Sequence, residues 1–121
     1  MPHGKVCYLE MPAKDIEASK RFYTTIFGWK ARMRGDGSNA FDDGIDNVSG
    51  TWMKDLKPSA DDGIIISIMV DDIDDTLKRV KAGGGRVVLP RQELGGGAAY
   101  ARFLDPAGNL LSLYQGAGDR S

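Results

Sequence analysis

The chain has one cysteine and one histidine. A lone cysteine excludes an intrachain disulfide, so burial and hydrogen bonding must hold the fold. Cys7 falls in a strand-like stretch with no charged partner beside it in sequence. It is expected to be a small buried hydrophobe rather than a reactive thiol. The only histidine, His3, precedes the first predicted strand and reads as a tail residue. No apolar run approaches the ~20 residues needed to cross a bilayer. Nor does Met1-Pro2-His3-Gly4-Lys5 lead into a signal-peptide apolar region. The expectation is a cytoplasmic protein with no membrane partner. An excess of one charge is missing too. Sixteen Lys and Arg face 17 Asp and Glu, a formal net charge of -1. That balance argues against nucleic acid as a partner, because such a surface needs a basic patch.

What is present suits one small domain, 1–121. Of the 121 residues 41% are hydrophobic, and a chain of this size can bury roughly two-thirds of its unfolded surface. The first strand is predicted at Lys5 to Met11, with Leu9 and Met11 on one face and Tyr8 and Glu10 on the other. Pro12 ends it. Asp15 can cap a helix running to about Phe27, with Gly28 as its stop. Ile16, Phe22, Tyr23 and Ile26 form the apolar stripe. A strand follows at Trp29 to Met33. The stretch from Arg34 to Asn47 reads as turns around a short strand near Ala40-Phe41. Val48 to Met53 is the next strand, and Lys54 to Gly63 is a linker.

Beyond the linker the pattern restarts. Ile64 to Val70 is a strand. Asp72 caps a second helix carrying Ile73, Leu77 and Val80, and Gly83-Gly84-Gly85 ends it. Strands follow at Arg86 to Leu89 (stopped by Pro90), Ala98 to Phe103 and Leu110 to Gln115. The tail Gly116 to Ser121 is expected to fray. An offset of 57 residues carries Tyr8 onto Ile65, Asp15-Ile16 onto Asp72-Ile73 and Gly28 onto Gly85. A shared spacing of strand, cap and stop points to duplication of one βαβββ unit. Module one spans about 5–54 and module two about 63–115. The fold class is α+β: two modules whose curved mixed sheets surround a cup, with helices outside.

Three segments carry a family resemblance. MPAKDIEASKRFYTTIFGWK resembles the opening strand, helix and turn of glyoxalase-like proteins. VDDIDDTLKRVKAGGGRVVLP resembles the start of their second module, and FLDPAGNLLSLYQ their closing hairpin. The chain thus resembles the glyoxalase/bleomycin-resistance/dioxygenase (vicinal oxygen chelate) superfamily. That fold hosts lyases, epimerases, dioxygenases and metal-free antibiotic-binding proteins, so fold alone does not choose a function. The resemblance implies four metal-ligand positions, one on each opening and each closing strand. They match Tyr8, Ile65, Ser112 and a residue within Gly50 to Trp52. None is His, Glu or Asp, the donors a divalent metal needs. The expectation is no metal, no other cofactor and no glyoxalase I-type isomerisation.

Strand alternation then suggests what lines the cup: Tyr8, Glu10, Ile65, Ser67, Met69, Tyr100, Arg102, Ser112 and Tyr114. Trp52 can face either way. Aromatic walls with few polar groups suit a small-molecule pocket, or simply a closed core. Glu10 is costly on such a face unless hydrated or paired, for instance with Arg102. A general acid–base role for it is conceivable, but one carboxylate is not a mechanism. The acidic run Asp71, Asp72, Asp74, Asp75 is explained by helix capping. The glycine runs at 83–85 and 95–97 are not phosphate loops, since neither follows a strand and opens a helix. The second is expected to be a flexible loop over the cup. Three functions follow from these features. One is sequestration of a drug or metabolite without metal. Another is metal-independent lyase or isomerase chemistry using Glu10 or Tyr8. The last is a module acting through protein contacts alone. Exposed sheet edges also suggest a homodimer.

Overall fold

Each helix begins at an aspartate whose side chain takes up a free backbone N–H, as the cap pattern predicts. The computed structural model describes residues 7–35, 37–44, 48–59 and 63–116. The elements run β1 (Tyr8–Pro12), α1 (Ile16–Phe27), β2 (Lys30–Met33), β3 (Asn39–Asp42), β4 (Ser49–Met53), β5 (Ile66–Met69), α2 (Ile73–Ala82), β6 (Arg86–Gly95), β7 (Ala98–Leu104) and β8 (Leu110–Gln115). Asp15 accepts from the Ala18 N–H at 3.2 Å and Asp72 from the Asp75 N–H at 3.2 Å. At its far end α1 stops on Gly28, whose φ of 71° is left-handed and suits a residue without Cβ. No helix among the described residues is long and apolar enough to cross a membrane.

The chain forms two compact units that divide between Lys57 and Pro58. Each repeats the order βαβββ and builds one four-stranded mixed sheet. The strand orders are β1-β4-β3-β2 and β5-β8-β7-β6. In both units the first strand lies parallel to the last, and the remaining pairs are antiparallel. An α+β fold of duplicated topology is therefore what the 57-residue offset encodes. The predicted tail at 117–121, His3, and parts of the predicted turns and linker (36, 45–47, 60–62) lie outside the described residues.

Unit one has an aromatic core. Tyr23 of α1 stacks on Trp29 with ring centres 4.6 Å apart, Trp29 on Phe41 at 4.8 Å, and Phe41 leans on Trp52 at 4.8 Å. Close ring pairs of this kind add about 0.5–1.5 kcal/mol each beyond their buried area. Phe41 stands opposite Gly50 across β3 and β4, and its ring lies over that residue. A Cβ at Gly50 would fall 2.3 Å from the Phe41 ring and 2.4 Å from the Leu9 carbonyl oxygen.

Unit two is aliphatic. Buried Ile73, Leu77 and Val80 of α2 face a sheet whose buried residues include Ala101, Phe103, Leu111 and Leu113. Two polar knots fix its ends. Gln115, fully buried, accepts from the Ile73 N–H at 3.0 Å and donates to the Gly97 carbonyl at 3.2 Å. The last strand is so tied to the start of α2 and to the hairpin turn. In the Asp105–Asn109 turn the Asp105 carboxylate accepts from the N–H groups of Ala107 and Asn109 at 3.0 and 2.8 Å. The Asn109 side chain accepts in turn from the Ser59 N–H at 3.1 Å. Gly108 closes the turn with φ 97°.

Three expectations need correction. Pro90 does not stop β6, which continues to Gly95. It falls inside a register break between Leu89 and Gln92 on an edge strand, where a missing N–H costs no ladder bond. Gly95-Gly96-Gly97, expected as a flexible loop over the cup, instead ends β6 in a tight turn. Gly96 and Gly97, with φ 65° and 93°, form the two-residue turn joining β6 to β7. Cys7 is exposed rather than buried, because it lies ahead of β1, beyond the core that begins with Met11. We expect Gly50→Ala to lower unfolding free energy by about 1–3 kcal/mol, the usual cost of overpacking. Denaturant melts of the variant beside the parent measure it, and an unchanged midpoint would show that Phe41 can move aside.

Candidate functional site

One face of each sheet carries the helix, and the helix-free face carries most of the predicted contact residues. Residues abreast in register share a face, while neighbours along a strand alternate. In unit one Tyr8, Ser49, Asp42 and Lys30 form one row across the four strands. Glu10, Thr51, Ala40 and Arg32 form the next. Trp52 stands opposite Met11 in the alternate register, on the face of Tyr23 and Phe41, and is 3% exposed. It belongs to the core, which removes it from the candidate contacts.

The unit-one rows are linked by charge. Arg32 donates from Nε to the Asp42 carboxylate at 3.0 Å, and Ser49 donates its hydroxyl to the same group. Both bonds favour the ionised carboxylate, so Asp42 is held below the usual carboxylate range, with the Arg32 bond as the largest cause. Arg34 donates to the Tyr8 hydroxyl and its guanidinium lies 5.3 Å from the centre of that ring. Thr51 donates to the Asn39 carbonyl. Glu10 is exposed, so its carboxylate keeps its water and the expected burial cost does not arise. Arg32, Arg34 and Ser49 escaped sequence reasoning, and Thr51 was included only as part of the range Gly50 to Trp52. Ser49 and Thr51 were recoverable from the alternation of β4 once its register was known. The arginines flank the Gly/Asp-rich stretch, which carries no periodic signal.

In unit two Ser67, Ser112, Arg102 and Leu89 stand in one row. Met69, Tyr114, Tyr100 and Gln92 stand in the next. The structure thus places Ser67, Tyr100, Arg102, Ser112 and Tyr114 on one face. Ile65 lies just ahead of β5 and is half-buried. Ser112 is buried and donates to the Ala101 carbonyl at 3.0 Å. Arg102 packs its guanidinium over Tyr100, 5.8 Å from the ring centre, and its Nε is buried without a hydrogen-bond partner.

The sequence model of the Glyoxalase/Bleomycin resistance protein/Dioxygenase superfamily matches residues 5–113. The chain belongs to this superfamily. Among its relatives is CFP32 of Mycobacterium tuberculosis, 27% identical over 119 residues, which cover 93% of this chain and 46% of that protein. Another is the anthracycline biosynthesis protein DnrV of Streptomyces peucetius, 27% identical, covering 93% of this chain and 47% of that one. The chain spans about half the length of both. The fold is also similar to the crystal structure of the fosfomycin resistance protein FosX from Listeria monocytogenes. That likeness has a TM-score of 0.74 at 19% identity and covers 98% of each chain.

The strand registers favour Thr51 within the Gly50 to Trp52 range that the resemblance implies for a fourth metal position. Ser112 stands opposite Ser67 as Thr51 stands opposite Glu10, and the 57-residue offset relates Glu10 to Ser67. On the resemblance drawn from the sequence, the four positions would be Tyr8, Thr51, Ile65 and Ser112. One is a hydrocarbon. Two are neutral hydroxyls already bonded to backbone carbonyls, and one is a phenol beside a guanidinium. Divalent metals of this kind need imidazole, thiolate or carboxylate donors, and these residues do not fit one. Among the described residues no group of three or more His, Cys, Asp or Glu could hold a metal ion.

For the Arg32–Asp42–Ser49 cluster, NMR titration is expected to place the Asp42 carboxyl below its ordinary pKa of about 3.9. In Arg32→Gln it should move back up. Since the folded value is the lower one, this cluster's stabilisation is complete above the ordinary carboxylate range and is lost as pH falls through the lowered value.

Proposed function

We propose that the protein binds a small organic molecule without the superfamily metal, as in drug or metabolite sequestration. The observation that carries this reading is the residue set at the four metal positions, Tyr8, Thr51, Ile65 and Ser112. It leaves no donor for Lewis-acid activation of a substrate. What remains on the helix-free faces is suited to holding a molecule. Tyr8, Tyr100 and Tyr114 offer aromatic surface. Glu10, Ser67, Arg102 and Ser112 offer a few polar groups, and Ile65 adds apolar area. One relative is an anthracycline biosynthesis protein and one protein of similar fold is a fosfomycin resistance protein, and both functions concern small organic molecules. In this reading the two units act together as one glyoxalase-like domain, with no bound cofactor.

The test is native mass spectrometry and elemental analysis of protein purified without chelator, followed by thermal melts with added metals and with an antibiotic and metabolite panel. The expected outcome is less than stoichiometric zinc, nickel, manganese or iron and no metal-dependent rise in melting temperature. At least one organic compound should bind saturably. A stoichiometric metal whose stabilisation disappears in Tyr8→Phe or Glu10→Gln would overturn the metal-free reading. Turnover of a bound compound that Glu10→Gln abolishes would favour the lyase or isomerase alternative.

We also propose a homodimer. The edge strands β2 and β6 carry exposed Met33, Val88 and Leu94, at 70%, 51% and 56%. An uncovered edge with apolar side chains is a pairing liability, and a two-fold partner is the commonest cover. Sedimentation at tens of micromolar should give twice the chain mass of 13.1 kDa. A single species of chain mass would contradict it.

A further inference from the structure

Several arginines in the described residues have an acceptor close at hand. Arg32 meets Asp42, Arg79 meets Asp75, Arg34 meets Tyr8, and Arg91 meets both Asp74 and Glu93. Arg21 and Arg86 are exposed, where water serves them. Arg102 differs from both kinds. It is only partly exposed, none of the ion pairs among the described residues includes it, and its Nε is shut off from solvent with no acceptor.

Its neighbours explain why. Across the strands it faces Ser112 and Leu89, and along β7 on the same face it has Tyr100 and Leu104. None is a carboxylate. The whole helix-free face of β5, β7 and β8 consists of Ser, Met, Leu, Ala, Tyr and this one arginine. A guanidinium that lacks a counter-charge, with its plane braced by Tyr100, presents a fork that matches a planar carboxylate. The nearest cation on the same face, Arg86, stands one row away opposite Leu104 and is exposed to water, so the one sheltered guanidinium is matched by a single carboxylate. The serines alongside are neutral, so nothing repels an acid.

We propose that Arg102, backed by Tyr100, is the recognition point for a carboxylate on the bound molecule. The neighbouring Tyr114 and Met69 then contact the apolar body of the same ligand. The carboxylate supplies the counter-charge that the partly exposed guanidinium lacks, so the free protein's unpaired cation becomes part of the ligand's affinity. This assignment rests on the small-molecule reading and narrows it to acidic ligands.

Matched pairs of probes test it: a panel of small aromatic carboxylic acids, each with its own primary amide, and inorganic phosphate. They are titrated into the full chain while the Arg102 Nε–H signal is followed by NMR. Acids are expected to bind at least about tenfold tighter than their amides, to shift that signal, and to lose the preference in Arg102→Gln. Arg102→Lys, which keeps charge and stem but not the fork, should retain part of it and guards against a folding defect in the first variant. Amides that bind as well as their acids would overturn the Arg102 assignment and leave small-molecule binding standing. Phosphate binding as tightly as the best acid would overturn the choice of a carboxylate. If no probe of either kind binds, the small-molecule reading fails together with this one.

Discussion

Among the described residues each unit has a single helix and a four-stranded sheet with two faces. The helix can cover only one of them, and most features of the protein follow from that inequality. Apolar residues of alternate parity crowd beneath the helix: Phe41, Trp52 and Met11 in unit one, Phe103, Leu111 and Leu113 in unit two. The opposite parity is released from core duty and holds tyrosines, serines and charged groups. Strand register therefore sorts the side chains into structural and available sets before any chemistry is considered.

The two units answer the same topological demand with different materials. Unit one closes its core with a run of stacked rings, which needs flat approach and so needs Gly50 beneath Phe41. Unit two uses small and aliphatic side chains, and its precision comes from buried polar anchors at the ends of strands. Gln115 and the Asp105–Asn109 turn join segments distant in sequence through hydrogen bonds that are wholly or partly buried. Duplicated topology has thus been kept while the packing chemistry has diverged.

The same divergence extends to the helix-free faces. Unit one balances its charges internally through Arg32, Asp42 and Ser49. Unit two leaves Arg102 without a counter-charge. At the positions that the family resemblance matches to metal ligands, both units carry hydroxyls or hydrocarbon.

Much of this was legible in the residues alone. Helix caps, helix stops and strand alternation are local, short-range effects, so Asp15, Gly28, Asp72 and the 57-residue offset specified the βαβββ repeat directly. Strand parity likewise placed Tyr8 and Glu10 on one face, and Ser67, Tyr100, Arg102, Ser112 and Tyr114 on another. What local patterns could not decide was anything set by a partner strand or by depth. Trp52 joined the core because β4 pairs with β1 in the register that sets it beside Met11. Pro90 was tolerated because β6 is an edge strand with a register break there. Gly95-Gly96-Gly97 became a tight hairpin turn because the two strands pair right up to it. Cys7 and Glu10 proved exposed, since burial depends on what lies above a residue and not on its alternation. The bonds of Arg32 and Arg34, and the unsatisfied Nε of Arg102, arise from side chains meeting or missing one another across strands, a relation that exists only once the sheets have formed.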